Sequence, residues 1–219
     1  MTGAAGAGNG DRSGSPGSGP LRVVLATANP DKAREIVAIV TESAGGAVEL
    51  RPRPAGVPEV EETGDTLEEN ARLKAQALVE ATGLAAIADD TGLEVDALDG
   101  APGVFSARFA GPGASYEDNV EKLLSALAAV SATGPGARRA RFRTVAVACF
   151  PDRGDIVAQG VVEGVIAGER RGEAGFGYDP VFVPDGGDGR TYAQMSLAEK
   201  SALSHRGKAF RALAAGLLA

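Results

Sequence analysis

Hydrophobic and polar positions follow strand-like spacing in several segments of the chain. Short apolar runs at residues 21–26 and 84–88 predict buried strands. The segments at residues 141–150 and 156–166 alternate apolar and polar residues around the turn sequence PDRGD, so they predict a β-hairpin. Segments with helical spacing lie between the other runs, and the chain is therefore predicted to contain both strands and helices.

The predicted strand at residues 84–88 ends at two adjacent aspartates, Asp89 and Asp90. The Thr-Gly dipeptide that follows predicts a turn, and the alternating residues 93–97 predict a separate, half-buried strand. Successive side chains of an extended backbone point to opposite faces, so only one aspartate can face a given site. The pair indicates either a solvated turn or a metal or acid–base site at the end of a buried strand.

A helix is predicted directly after the first strand. Asn29 is a favourable N-cap and Pro30 fits the first helical position. A strand, a tight turn and a helix start direct backbone N–H groups at whatever lies above the strand, and Lys32 adds a positive charge there. Without a glycine-rich phosphate loop, this turn alone is a weak signal for phosphate. The predicted buried stripe of the helix comprises Ala33, Ile36, Val37 and Val40.

Capping residues predict the starts of further helices. Asp65 and Glu68 form a predicted capping pair for a helix that runs to Thr82. Its core-facing stripe includes Lys74, which either extends to solvent or is directed at an anion above the sheet. The other predicted caps are Ser115 with Asp118, Ser196 with Glu199, and Ser204.

The last predicted helix begins with two basic residues. His205, the only histidine of the chain, and Arg206 lie in its first turn. Cations are unfavourable at a helix N-terminus, so their placement indicates a nearby acceptor or a bound anion.

Composition narrows the classes of function. The chain has 219 residues, of which 44% are hydrophobic, with a net charge of −7 and a pI near 4.9. This acidity argues against nucleic acid or an anionic membrane as partner, and no apolar run approaches the roughly 20 residues of a membrane span. The single cysteine, Cys149, lies in an apolar run and is predicted to be buried. A reducing, cytoplasmic compartment is expected.

The first 20 residues are almost entirely small or polar. Such a composition cannot bury enough surface to offset the entropy of ordering, so residues 1–20 are predicted to be a disordered tail. Residues 21–219 are predicted to form a single domain.

Five segments of the chain stand out together. They are TANPDK (27–32), EETGDTLEENARLKA (61–75), ADDTGLEVDALDGAPGVFSARFAG (88–111), GFGYDPVF (175–182) and EKSALSHRGKA (199–209). In this order they resemble the inosine triphosphate pyrophosphatase family. One departure is Ala28, where that family often has glycine.

The resemblance implies an elongated α/β fold in which helices flank a mixed β-sheet and two lobes enclose a substrate cleft. It implies Mg²⁺-dependent hydrolysis of ITP, dITP and XTP to the monophosphate and pyrophosphate, usually by a homodimer. Two alternatives are a nucleotide sensor that does not hydrolyse, and the related pyrophosphatases that act on modified pyrimidine nucleotides. The intact carboxylates argue against the first, and the SHR and FGYD segments argue against the second.

The resemblance also implies site residues. Asp90 is expected to act on the attacking water and, with Glu62, to hold Mg²⁺, while Asp89 braces the turn. Glu61 and Asp89 stay open as alternative metal ligands. The residues expected to bind the phosphates are Thr27, Ala28, Asn29, Pro30, Asp31, Lys32, Lys74 and Arg108. The remaining substrate-binding residues, mainly around the purine, are Thr91, Phe176, Gly177, Tyr178, Asp179, Lys200, His205 and Arg206.

Overall fold

The computed structural model describes residues 19–219, so the predicted tail lies, apart from its last two residues, outside the described residues. Seven strands form one mixed sheet in the order β2-β1-β3-β5-β6-β7, with β4 paired to β3. The first strand runs parallel to β2 and β3, and the later pairs are antiparallel. The strands are β1 Leu21–Leu25, β2 Val48–Arg51, β3 Ala85–Val95, β4 Pro102–Gly103, β5 Arg139–Cys149, β6 Ile156–Ile166 and β7 Phe182–Pro184.

Five α-helices surround this sheet and confirm the predicted α/β class. Helices α1 and α5 pack on one face of the parallel region, and α2 packs on the other. Beyond them, α3 and β7 close a separate apolar cluster at the other end of the β5–β6 hairpin. The helices are α1 Pro30–Ala44, α2 Leu67–Thr82, α3 Tyr116–Ala129, α4 Leu197–Leu203 and α5 His205–Leu217. Within residues 19–219, no helix combines the length and hydrophobicity that crossing a membrane requires.

The prediction of a turn after Asp90 is wrong. β3 continues without interruption through eleven residues, because residues 86–95 pair one by one with residues 140–149 of β5. This long-range pairing outweighs the local turn preference of Thr-Gly. Gly92 instead allows β4 to approach β3 closely, since a Cβ there would lie 2.9 Å from the carbonyl oxygen of Gly103. The two aspartates therefore lie in the middle of a strand.

Two helix predictions also need correction. The N-cap of α2 is Thr66, whose hydroxyl accepts from the N–H of Glu69, so the predicted Asp65–Glu68 pair is displaced by one residue. In α1, Val37 is 43% exposed. Ile39 occupies the buried stripe in its place. The predicted caps at Asn29, Ser115, Ser196 and Ser204, the hairpin, and the burial of Cys149 are confirmed.

Helix α5 approaches the sheet closely at Gly160 of β6. A Cβ on Gly160 would overlap the carbonyl oxygen of His205 and lie 2.6 Å from the backbone nitrogen of Ala209. Neither backbone atom can move without displacing the helix, so the contact between β6 and α5 requires glycine.

We expect Gly160→Ala to lower the free energy of unfolding by about 2–3 kcal/mol, because the added methyl group overpacks this contact. The measurement is urea denaturation followed by circular dichroism. Gly168→Ala is the matched control, since a Cβ there meets no atom within 4 Å. An equal loss of stability in both variants would contradict the prediction.

Candidate active site

The turn between β1 and α1 is held in one conformation by side-chain hydrogen bonds. Asn29 Oδ1 accepts from the backbone N–H of Asp31 at 2.9 Å and from that of Lys32 at 3.1 Å. Thr27 Oγ1 accepts from the N–H of Asn29 at 3.1 Å. The turn opens on a cavity of about 610 Å³, which we call the phosphate cavity. Its lining includes Thr27, Ala28, Asn29 and Lys32. The predicted residues Pro30 and Asp31 line neither this cavity nor the second cavity described below.

The loop before α2, residues 52–66, which we call the acidic loop, forms another wall of the phosphate cavity. Glu61 and Glu62 both line it, and Glu62 contacts two cations. Lys74 Nζ lies 2.8 Å from Glu62 Oε1, and Arg108 Nη1 lies 3.1 Å from Oε2. Burial raises the pKa of Glu62, but Lys74, Lys32 and Arg108 together outweigh this effect, so the pKa is lowered overall. Glu62 is therefore held ionised.

Arg53 stabilises the acidic loop and was not identified from the sequence. Its guanidinium donates to three backbone carbonyls, those of Ala26, Val57 and Pro58, at 3.0, 3.0 and 2.6 Å. These bonds connect the acidic loop to the end of β1. No motif distinguishes Arg53 from other arginines, since its partners are backbone atoms distant in sequence.

Asp90 faces α2 and shares a cation with Glu62. Lys74 Nζ lies 3.3 Å from Asp90 Oδ1, and the amide nitrogen of the buried Asn70 lies 3.3 Å from Oδ2. Asn70 also accepts from the N–H of Gly64 at 2.8 Å, which ties the acidic loop to the strand. Burial raises the pKa of Asp90, Glu62 adds to this effect, and Lys74 only partly opposes it. A carboxylate with a raised pKa is a better proton acceptor near neutral pH.

The donors present here fit a magnesium ion. The carboxylates of Glu62 and Asp90 already converge on one cation, the ammonium of Lys74. Mg²⁺ prefers one or two carboxylates completed by phosphate oxygens and water. Among residues 19–219, no group of three or more His, Cys, Asp or Glu side chains could hold a metal ion. The remaining ligands would therefore come from a bound phosphate and water.

Asp89 points to the opposite face of the sheet, toward α1 and α5. Its Oδ2 lies 3.6 Å from Lys32 Nζ and 3.4 Å from Arg206 Nη2. Burial raises the pKa of Asp89, but Lys32 and Arg206 outweigh this effect and hold it well below the ordinary range. The expectation that Asp89 braces a turn is wrong, because β3 has no turn there and the carboxylate instead pairs with two cations.

A second, smaller cavity of about 110 Å³ adjoins the first, and we call it the base cavity. Asn29, Lys32 and Glu62 line both cavities. The predicted residues that the structure brings together in the base cavity are Asp90, Thr91, Phe176, Gly177, Tyr178, Asp179, Lys200, His205 and Arg206.

Buried charges of alternating sign run behind the base cavity. Glu35 of α1 joins two cations, with Lys200 Nζ 2.6 Å from Oε1 and Arg206 Nη1 2.6 Å from Oε2. Lys200 also contacts Asp179 at 2.5 Å, and Arg206 contacts Asp89. Glu35 was missed in the sequence, although it lies four residues before the buried Ile39 and thus on the same helical stripe.

His205 is buried beneath the base cavity and is neutral. Its Nδ1 lies 2.6 Å from Thr144 Oγ1, and its ring stacks on Phe142 with centroids 4.5 Å apart. Burial lowers the pKa of His205 well below its usual value, and the nearby Arg206 lowers it further. Since a neutral imidazole carries one donor and one acceptor nitrogen, only one of its ring nitrogens can donate.

A side-chain-capped turn at the positive end of α1, two convergent carboxylates and an adjoining aromatic cavity define an α/β nucleotide-phosphate-binding protein. The chain belongs to the Ham1 family, whose sequence profile matches residues 23–216. The family resemblance seen in the five segments is thereby confirmed.

Individual relatives cover nearly the whole chain. A dITP/XTP pyrophosphatase from Methylococcus capsulatus is 48% identical over 201 residues, 90% of this chain and 96% of that protein. One from Streptomyces coelicolor is 46% identical, over 88% of this chain and 94% of that protein. The solved structure of a HAM1 protein from Coxiella burnetii superposes with a TM-score of 0.79 at 40% identity, covering 90% of this chain and 98% of that one.

We expect Glu35→Gln to lower the free energy of unfolding by about 3 kcal/mol at pH 7, because two buried cations lose a shared counter-charge. Burial raises the pKa of Glu35, but Arg206 and Lys200 outweigh this effect, so the pKa is lowered overall. A lowered pKa contributes stability above the unfolded value of about 4.3 that is lost as the pH falls.

The difference between wild type and Glu35→Gln should therefore shrink between about pH 6 and pH 3. Urea denaturation across this range measures it. Glu42→Gln, at an exposed position of the same helix, is the control and should change stability by less than about 0.5 kcal/mol. A difference that grows toward low pH would contradict the assigned direction.

Proposed function

We propose that this protein hydrolyses the non-standard purine nucleoside triphosphates ITP, dITP and XTP to the monophosphate and pyrophosphate. The observation that carries the proposal is the pair of carboxylates that share Lys74: Glu62, which lines both cavities, and Asp90, which lines the base cavity. Curated relatives at 46–48% identity bear the name dITP/XTP pyrophosphatase.

The triphosphate would lie in the phosphate cavity. The positive end of α1 favours an anion there, although Thr27 and Asn29 already accept from the N–H groups of the turn. Lys32 and Arg108 line the same cavity and add full charges. An acidic protein can thus bind a highly charged anion, because its cations are concentrated where the phosphates lie.

Asp90 would act on the attacking water. The water oxygen forms a bond to the α-phosphorus while the bond from that phosphorus to the bridging oxygen of the β-phosphate breaks. One proton of the water passes to the carboxylate of Asp90, and pyrophosphate leaves. Asn70 and Lys74 hold the two carboxylate oxygens, so the base is oriented before the substrate arrives.

Glu62 and Asp90 would hold Mg²⁺, which when bound neutralises phosphate charge and polarises the phosphoryl oxygens. Glu62 is suited to this task because Lys74 and Arg108 keep it ionised. Arg53 and Asn70 fix the acidic loop and thereby the separation of the two carboxylates.

The purine would enter the base cavity and stack on Phe176. Asp179 Oδ2 accepts from Lys200 and from the N–H of Phe176, and Oδ1 receives no hydrogen bond from the described residues, so Oδ1 can accept from a protonated N1. Arg206 Nε is buried and has no acceptor among residues 19–219. The 6-oxo oxygen of hypoxanthine or xanthine would supply one.

Three expectations stay predictions, the first implied by the resemblance and the other two by composition. They are a homodimer, which sedimentation velocity would test, a cytoplasmic location, which fractionation would test, and the absence of nucleic-acid binding.

The competing function is nucleotide binding without hydrolysis. Release of pyrophosphate from ITP in the presence of Mg²⁺ supports the enzyme, and tight ITP binding without release supports the sensor.

We expect Asp90→Asn to lower the turnover of ITP at least about a hundredfold, because an amide can neither accept the proton nor bind the metal well. ITP binding and the circular dichroism spectrum should be retained. The matched control is Asp152→Asn, in the exposed turn between β5 and β6, which should keep wild-type turnover. Near wild-type turnover in Asp90→Asn would refute Asp90 as the proton acceptor and leave Glu62 as the candidate.

We expect ITP, dITP and XTP to exceed ATP in kcat/KM by a factor of about a thousand or more. Adenine would place an amino group against Arg206 and an unprotonated N1 against Asp179, and unpaired buried polar groups cost roughly 1–3 kcal/mol each. Initial rates of pyrophosphate release with each nucleotide measure the ratio. A ratio near one would refute base selection by these two groups.

A further inference from the structure

Tyr116, the first residue of α3, lies at the mouth of the base cavity and has no role in the mechanism above. It lines this cavity together with Phe176 and is 42% exposed. The capping box of Ser115 and Asp118 fixes the backbone where α3 begins. The aromatic ring is therefore presented to the cavity from a defined position.

The hydroxyl group of Tyr116 reaches the phosphate turn. Tyr116 Oη accepts a hydrogen bond from Asn29 Nδ2 at 2.7 Å. The other end of the same amide, Asn29 Oδ1, accepts from the first N–H groups of α1. Asn29, which lines both cavities, is thus held by α1 on one side and by Tyr116 of α3 on the other.

The ring of Tyr116 lies against Phe176. The two centroids are 5.8 Å apart, and the ring planes make an angle of 42°. Carbon surfaces make contact at about 3.5–4 Å, so a planar base between two rings needs roughly 7–8 Å. A purine that stacks on Phe176 therefore displaces the Tyr116 ring outward by about 1–2 Å. The exposure of Tyr116 leaves room for this movement.

We propose that Tyr116 has two roles in nucleotide binding: its ring forms the second wall of the purine slot opposite Phe176, and its hydroxyl positions Asn29 for the phosphates. The inference rests on the proposed function, since it assumes a purine in the base cavity. It adds α3 to the elements that bind the substrate.

Two variants separate the contribution of the ring to binding from that of the hydroxyl group. Tyr116→Phe keeps the ring and removes the bond to Asn29, whereas Tyr116→Ala removes both. The probes are inosine, which has the base without phosphate, and inorganic pyrophosphate with Mg²⁺. Calorimetric titration gives the dissociation constant of each probe, so the test does not depend on turnover.

Tyr116→Phe should weaken pyrophosphate binding by about 2- to 10-fold, the usual effect of one hydrogen bond, and leave inosine binding unchanged. Tyr116→Ala should weaken both, and inosine by at least roughly fivefold through the loss of stacking. Val130→Ala, at the exposed other end of α3, is the matched control and should change neither. Unchanged inosine binding in Tyr116→Ala would overturn the role of the ring.

A double-mutant cycle tests the path through Asn29. Asn29→Ser keeps a capping oxygen for α1 but is too short to reach Tyr116. In that background, Tyr116→Phe should have no further effect on pyrophosphate binding. Additive losses would overturn the role of the hydroxyl group.

If wild type binds both probes as expected but does not hydrolyse ITP, the proposed function fails while the roles of Tyr116 stand.

Discussion

Two adjacent carboxylates in the middle of a buried strand impose the constraint on which the site depends. The continuous pairing of β3 with β5 places Asp89 on one face of the sheet and Asp90 on the other. A buried charge is costly unless a partner compensates it, so each face must supply its own cations. Helix α2 supplies Lys74 for Asp90, and α1 and α5 supply Lys32 and Arg206 for Asp89.

The two aspartates have opposite electrostatic environments as a result. Two cations lie near Asp89 and lower its pKa despite complete burial, so it remains ionised as part of the structure. Burial and the neighbouring Glu62 raise the pKa of Asp90, although Lys74 opposes them. The same residue type thus provides a fixed counter-charge on one face and a proton acceptor on the other.

Asp89, the fixed counter-charge on the face covered by α1 and α5, belongs to a network of ion pairs that joins the phosphate and base cavities. Lys32 lines both of them, contacts Asp89, and through Arg206 and Glu35 is connected to Lys200 of the base cavity. Each buried group shares its partners, so removal of one leaves another uncompensated. Groups held in this way need little reorganisation when a charged ligand binds.

Much of this arrangement follows from local sequence. The N-cap at Asn29, the hairpin and the caps of the later helices depend on neighbouring residues, and the pattern of the chain predicts them correctly. The position of Lys74 on an otherwise apolar stripe left two possibilities, extension to solvent or contact with an anion above the sheet, and the structure shows contact with Glu62 and Asp90. The ordered segments of the family resemblance indicated the class of enzyme before any distance was known.

Tertiary structure decided the rest, because the deciding contacts join residues far apart in the chain. Pairing with β5 converted a predicted turn into a continuous strand and placed the aspartates within the sheet. Arg53 binds backbone carbonyls, which have no sequence signature, and Tyr116 reaches Asn29 from a helix 87 residues away. Sequence patterns report local preferences and burial, whereas the partner of a buried charge or an exposed ring is fixed only when the elements pack.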